Sequence, residues 1–349
     1  MPDLERLDWP ALERLRSIFL ARDAAAAGPY WENHDTLAAY DATYAERIGW
    51  KWDALLHELL ARRWAPPAGT ALLDFGCGSG VAGRRVLSAF GPARFSGLQL
   101  ADHSPEAVAF AASRARDAFP GLAISSLPVG VDLAACDAAR TTLVVSHVLN
   151  ELPPATRTAL LAFAARAAAV IWVEPGTHAD SRALAVVRDE LRAAHRIIAP
   201  CTHREKCPLF AEKNARDWCH FFAEPPAGVQ NSADWVRFSH RAGLDLRSQA
   251  YSCLVLENTQ VSAAAEISAS PAIASPGPGV SARVLGRPEV FKPYARLLAC
   301  DPTGLHFLEL PKRTDPALVK RLGKKPPIPL YALTHDGQTI TSALPVFPD

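Results

Sequence analysis

The middle of the chain alternates short apolar runs with amphipathic stretches. Ala71 to Leu73, Arg94 to Leu100, Leu122 to Val129, Leu143 to Ser146 and Val170 to Val173 are runs of strand length. Such continuous apolarity suits strands covered on both faces of a parallel sheet. Helical stretches interleave with them: Val81 to Phe90, the alanine-rich Ala155 to Ala168, and a segment capped by Asp180 and Ser181 that runs to about His195. Leu244 to Gln249 and Ser252 to Leu256 supply two more strands, seven in all. Strand and helix in alternation predict an α/β fold on a mostly parallel sheet.

The flanks differ in pattern. Leu12, Leu15, Ile18 and Phe19, then Trp52, Leu55, Leu56, Leu59 and Leu60, repeat at helical spacing, so residues 1–66 read as a helical cap. Within that cap, Tyr40, Tyr44 and Arg47 are either ordinary core and surface positions or residues that approach a ligand on the sheet. Pro66, Pro67 and Gly69 open the sheet domain, residues 67–257, with an insertion at 198–224. Residues 258–281 contain an Ala-, Ser- and Pro-rich run without apolar period, which predicts a flexible linker. A small basic β module, 282–349, follows.

The chemistry is concentrated first in Thr70-Ala-Leu-Leu-Asp-Phe-Gly-Cys-Gly-Ser-Gly80. An apolar strand ends in Asp74, and Gly76, Gly78 and Gly80 make the turn into a helix. Glycines there let a nucleotide-like ligand approach the main chain and the helix N-terminus. Asp74 beside the turn favours a cationic or amine-bearing ligand, and Cys77 lies in the turn itself. The third glycine comes one residue too early for the dinucleotide fingerprint. The arrangement resembles motif I of the class I S-adenosylmethionine-dependent methyltransferases, which implies a Rossmann-like, seven-stranded fold and that cofactor.

Asp102, just past the second strand, is placed to accept hydrogen bonds from ribose hydroxyls. Its alternative role is to cap the next helix with Ser104, ahead of Pro105. Asp132 is the candidate for the adenine amino group, with Asp137 competing. His147-Val-Leu-Asn-Glu-Leu-Pro153 follows the fourth strand, at the carboxyl edge where open α/β sheets bind ligands. His147 is therefore assigned to the cofactor side, and Asn150 and Glu151 are candidates to face the transfer cleft, or simply the start of the next helix. The Asn-Pro-Pro-Tyr element used for exocyclic base amines is missing here.

The second informative stretch is Ala199-Pro-Cys-Thr-His-Arg-Glu-Lys-Cys-Pro-Leu209 with Asp217-Trp-Cys-His-Phe221. Cys201, Cys207 and Cys219 crowd a proline-punctuated loop, with His203 and His220 beside them. Thiolates so concentrated call for a neutralising cation. Zinc is one reading, through three Cys and a His, although no Cys-x-x-Cys knuckle is present. An iron–sulfur cluster is the other, given a fourth cysteine, and three buried unligated thiols the third. Cys77, Cys136, Cys253 and Cys300 are the fourth candidates; Cys300 lies in a strand-like segment beyond the linker and is free to fold back.

Charge and cysteine content narrow the setting. The chain of 349 residues carries a formal charge of +1, which excludes a uniformly basic coat. From Arg283 to Lys325, however, ten Lys or Arg face four acids. This asymmetry makes Arg287, Lys292, Arg296, Lys312 and Arg313 candidate RNA contacts. Seven cysteines, an odd number, argue against a secreted disulfide framework. No signal peptide or membrane span is evident, so a cytoplasmic monomer is expected.

Motif I, the Ala-Pro-Cys-x-His-x-x-x-Cys-Pro loop with its Trp-Cys-His-Phe, and the late Cys-x-x-x-Gly together resemble a specific family. It comprises the methyltransferase-like assembly factors of the mitochondrial small ribosomal subunit, whose bacterial relatives are described as predicted rRNA methylases. The likeness runs from about Leu72 to Arg313, with Thr202 standing where proline is usual. It implies a four-iron, four-sulfur cluster on Cys201, Cys207, Cys219 and Cys300, S-adenosylmethionine at the glycine turn, and work on small-subunit rRNA or its assembly. Two alternatives accompany it: a non-catalytic assembly or RNA-binding factor with this fold, and a small-molecule methyltransferase with structural zinc.

Overall fold

The computed structural model describes residues 7–20, 31, 33–260, 279–323 and 328–347. Three helices come first: α1 (Trp9–Leu20), α2 (His34–Tyr40) and α3 (Glu46–Ala61), the last two joined by a π-helical turn, Asp41–Ala45. The sheet then takes β1 (Ala71–Phe75), β2 (Gly97–Ala101), β3 (Ile124–Ser126), β4 (Thr141–Ser146), β5 (Ala169–Pro175), β6 (His195–Ala199), β7 (Phe221–Ala223) and β8 (Gln249–Asn258). Its interleaved helices are α4 (Val81–Phe90), α5 (Pro105–Ala118), α6 (Pro154–Ala164), α7 (His178–Leu191) and α8 (Ala233–Ala242).

The strand order is β3-β2-β1-β4-β5-β8-β6, with β7 also on β8. β1 runs parallel to β2 and β4, and β4 to β5, whereas β8 is antiparallel to β5, β6 and β7. The central strands are buried along nearly their whole length, as continuous apolar runs require. This is the class I methyltransferase sheet, with one short strand more than the seven expected.

Three expectations fail toward the far edge. Leu244 to Gln249 is not a strand: α8 ends in Gly243, left-handed at φ 61°, and the chain enters β8 only at Gln249. His195, expected to close a helix, instead opens β6; α7 stops at Leu191, and the branched pair Ile197-Ile198 favours the strand. The cap of α7 is Thr177, whose side chain accepts from Asp180 N, rather than Asp180 with Ser181. The cysteine loop therefore follows the sixth strand in sequence rather than preceding it.

Beyond the sheet lie β9 (Val280–Val290), β10 (Tyr294–Asp301), β11 (Gly304–Pro311), α9 (Pro316–Leu322), β12 (Leu330–Asp336) and β13 (Thr339–Pro345). The strands close a barrel in the order β10-β11-β13-β12-β9 around Leu297, Leu308, Leu310, Tyr331, Leu333 and Ile340. Of the linker expected at 258–281, residues 261–278 lie outside the described residues.

Sheet, cap and barrel share one apolar cluster. Trp52, Leu55, Leu56 and Leu59 of α3 pack with Leu72, Val86, Ile171 and Val255 of the sheet layer and with Leu285 and Leu305 of the barrel. The opposite sheet face is covered by Leu160 and Phe163 of α6 and Leu184 and Val187 of α7. Among the described residues, no helix is long and apolar enough to cross a membrane.

Candidate functional site

Two sites lie at the carboxyl ends of the strands and at the barrel junction. At the first, Gly76, Gly78 and Gly80 all adopt positive φ, 68°, 51° and 77°, so β1 can turn sharply into α4. A Cβ on Gly76 would meet Val148 Cγ1 at 2.4 Å, and one on Gly80 would meet Ala111 Cβ at 2.8 Å. Gly76 N and Cys77 N donate to Ala101 O, locking the turn to the end of β2.

Asp74 is 0% exposed. Its Oδ2 accepts from Gly83 N at 2.9 Å, capping the first turn of α4, while Oδ1 is buried without a partner. Burial pushes its carboxyl up to about 7. A cation brought to the free oxygen would satisfy it. Asp102 accepts from Gly78 N at 2.9 Å and from Ser104 N at 3.0 Å, and Ser104 caps α5. Of the two roles weighed from sequence, these hydrogen bonds carry the capping one: the carboxylate just past β2 braces the start of the next helix and also the glycine turn.

Asp132 is exposed and caps a short 3-10 turn, donating nothing but accepting from Ala134 N at 2.9 Å. Asn150 is exposed and Glu151 half-buried in the turn after β4. His147 takes a left-handed backbone, φ 59°, unusual for a residue with a side chain. Its ring Nε2 sits 2.9 Å from Lys51 Nζ of α3. Burial, then the charge of Arg47, brings the Lys51 ammonium down to about 7, and burial with Lys51 nearby keeps His147 neutral. Below them Glu174 is fully buried, accepts from Trp172 Nε1 at 2.6 Å, and is pushed up to about 8 by burial.

The cap does close over the turn, through Tyr40 as expected and through Trp31, which the sequence did not single out. Trp31 is the nearest side chain to Gly78 and packs edge-on against Tyr40, ring centroids 4.8 Å apart. Asp41 accepts from Arg84 at 2.6 Å, and Arg84 donates to Ser79 O. Tyr44 packs on Phe238 of α8 and Arg47 bonds Gln249 at the start of β8, so both face away from the glycine turn. The one signal for Lys51 was a lysine between Trp50 and Trp52 in an otherwise apolar helical stripe.

At the second site the loop after β6 is held from α7. Arg188 donates to His203 O at 2.9 Å and to Glu205 O. Asp189 receives Cys207 N at 3.1 Å. Cys219 lies just before β7, with Ser252 donating to its carbonyl. From the barrel, Cys300 Sγ comes to 3.6 Å from His203 Nε2. Burial raises the Cys207 thiol to about 11, and the Cys219 and Cys300 thiols well above the usual range. Cys207, Cys219 and Cys300 all pack against the core shared by sheet and barrel, as does Cys253 of β8. Cys77, Cys136 and Cys253 lie in the glycine turn, after Asp132 and in β8. Among the described residues, no three His, Cys, Asp or Glu side chains converge as ligands of a single metal ion.

The basic segment is divided by the fold. Arg283 is 2% exposed and ion-paired inside the protein, Arg287 stacks 4.3 Å over Phe222 at the junction, and Arg296 pairs with Glu289. Lys292, Lys312 and Arg313 are exposed on the barrel, and Lys324 and Lys325 lie outside the described residues.

Sheet order, glycine turn and capping helices together define a methyltransferase-like protein of class I. The profile of the family described as mitochondrial small ribosomal subunit Rsm22 matches residues 41–306, and the chain belongs to that family. No curated protein matches the sequence significantly. Magnesium protoporphyrin IX methyltransferase of Synechocystis PCC 6803, solved with S-adenosylmethionine, is 14% identical at a TM-score of 0.39, over 72% of this chain and 93% of its own. A provisionally named RNA methyltransferase of Pyrococcus horikoshii is 12% identical at 0.38, over 70% and 98%. An S-adenosylmethionine-dependent methyltransferase of Aquifex aeolicus is 15% identical at 0.32, over 41% and 81%. Likenesses this distant say nothing of substrate.

Proposed function

We propose that the protein binds S-adenosylmethionine at the glycine turn, holds a four-iron, four-sulfur cluster on Cys201, Cys207, Cys219 and Cys300, and acts on small-subunit rRNA or its assembly. The observation that carries this reading is the family match, which spans both the turn and the barrel strand bearing Cys300. The family's description names the small ribosomal subunit as its setting.

The chemistry of each site fits its proposed group. The partnerless Asp74 Oδ1 and the N-terminus of α4 suit the amine and carboxylate of an amino-acid cofactor. Cys300 reaches His203 of the loop that carries Cys201 and Cys207, and an all-cysteine donor set suits an iron–sulfur cluster. Around one tetrahedral zinc the sulfurs would stand about 3.8 Å apart. Reduced thiols on this scale also favour a reducing compartment such as the cytoplasm or an organelle matrix. Arg287, Lys292, Arg296, Lys312 and Arg313 are the proposed RNA contacts.

If methyl transfer occurs, the protein's contribution is largely to hold the sulfonium methyl in line with an RNA nucleophile. His147, Asn150 and Glu151 border that cleft, and Lys51 is positioned by His147. The loop after β4, with no Asn-Pro-Pro-Tyr, favours the second reading, a binding factor that transfers nothing. Tritiated S-adenosylmethionine supplied with small subunits from a deletion strain distinguishes them. Label incorporated by the wild type and lost in Gly78→Arg identifies an enzyme; sedimentation with the subunits without label identifies the factor.

A further inference from the structure

The barrel has a particular wiring. Its first strand, β9, pairs antiparallel with the second, β10, and the fourth, β12; the third, β11, meets the fifth, β13, in parallel; and α9 lies between the third and fourth. That is the order of the oligonucleotide-binding barrel, whose second and third strands and neighbouring loops form the ligand face.

Here that face is half covered. Outward on β10 and β11 the register pairs Cys300 with Leu305, Leu298 with Phe307, Arg296 with Glu309 and Tyr294 with Pro311. Leu298, Cys300 and Leu305 pack into the core shared with the sheet domain. The other half is open, and it is aromatic: Phe307 is 53% exposed and Phe291, in the β9–β10 loop, 41%. Phe291 and Tyr294 lie ring to ring at 4.9 Å, with Arg296 above Phe291 at 5.3 Å. Lys312 N is tied to Pro293 O at 2.8 Å, which sets Lys312 and Arg313 at the same rim as exposed Lys292. Glu289 and Glu309 are the acids there, and both pair with Arg296.

Large rings left in water beside Lys292, Lys312 and Arg313, which pair with no carboxylate among the described residues, are costly for a solvated face and suited to unstacked bases on a phosphate chain. We propose that this half-face, Phe291, Tyr294 and Phe307 rimmed by Lys292, Lys312 and Arg313, binds single-stranded RNA by base stacking. The choice of RNA rests on the ribosomal reading above; the stacking site does not.

Anisotropy of a labelled oligouridylate of about ten nucleotides tests it with the full chain. Phe291→Ala and Phe307→Ala should each weaken binding about tenfold while leaving the salt slope unchanged. Lys312→Ala should lower that slope by about 0.7. A duplex of equal length should bind more weakly. Oligouridylate binding that ignores both Phe substitutions, or a preference for the duplex, overturns the inference. Wild-type protein that binds oligouridylate yet fails to sediment with small subunits supports this site and overturns the ribosomal reading. Sedimentation with wild-type strength in the Phe variants, with no oligouridylate binding by any variant, overturns this site alone.

Discussion

Glu58 of α3 and Arg283 of β9, 225 residues apart in sequence, form a buried ion pair with Oε2 at 3.0 Å from Nη1 and a second, shorter contact through Oε1. Arg62 donates to the same carboxylate, and both guanidiniums also reach the chain leading into the cysteine loop, at Ile198 O and Pro200 O. One carboxylate thus joins helical cap, sheet edge and barrel.

Removing that carboxylate leaves two buried cations facing each other. Glu58→Gln should cost about 3–5 kcal/mol in urea unfolding. Burial opposes its charge, but Arg283 and Arg62 outweigh this and hold Glu58 down at about 2, against an ordinary 4.5. Stability from this group is therefore complete above pH 4.5 and lost as pH falls from there toward 2. Glu58→Gln should flatten that acid limb; an unchanged limb would contradict the assignment.

Asp74 has the opposite sign. Its folded value of about 7 exceeds the ordinary 3.8, so the unliganded protein should lose stability as pH rises from about 4 through 7. Binding of a sulfonium amino acid should reverse the trend, tightening through the same range as the carboxylate ionises. Calorimetry with S-adenosylmethionine should show Asp74→Asn binding about tenfold more weakly and without this dependence. Because Lys51 also titrates at about 7, Lys51→Met is the control: it should keep the Asp74 component.

The backbone at two points limits substitution. Gly80→Ala sets a Cβ 2.8 Å from Ala111 Cβ at φ 77°, and His147→Val puts a branched side chain at φ 59°. Gly80→Ala should cost about 1–2 kcal/mol from the left-handed geometry alone, with the clash added; His147 already carries that cost, so His147→Val adds only the further penalty of β-branching. His147→Asn, which tolerates that geometry, should cost less than His147→Val in thermal unfolding.

Local pattern made the glycine turn and α4 readable: Val81–Phe90 is helical over the whole amphipathic stretch, because a turn of three glycines leaves no other place for it to begin. The far sheet edge was not readable. His195–Ala199 and Phe221–Ala223 are short, and each is completed as a strand by pairing with β8. Alternation in Tyr294–Asp301 marked a strand, but closure depends on β11 meeting β13 at Glu309 and Thr339, a contact no local period encodes. Trp31 and Lys51 likewise owe their places to cap packing. That Cys300 folds back toward Cys201, Cys207 and Cys219 came from family resemblance, since spacing left four cysteines open.

Iron and acid-labile sulfide per chain, measured after anaerobic purification of the wild type and Cys300→Ser, test the central claim most directly. About four of each in the wild type, with broad absorption near 400 nm, and loss of both in Cys300→Ser, is the predicted result. A colourless wild-type protein with stoichiometric zinc, or equal iron in both proteins, would contradict it.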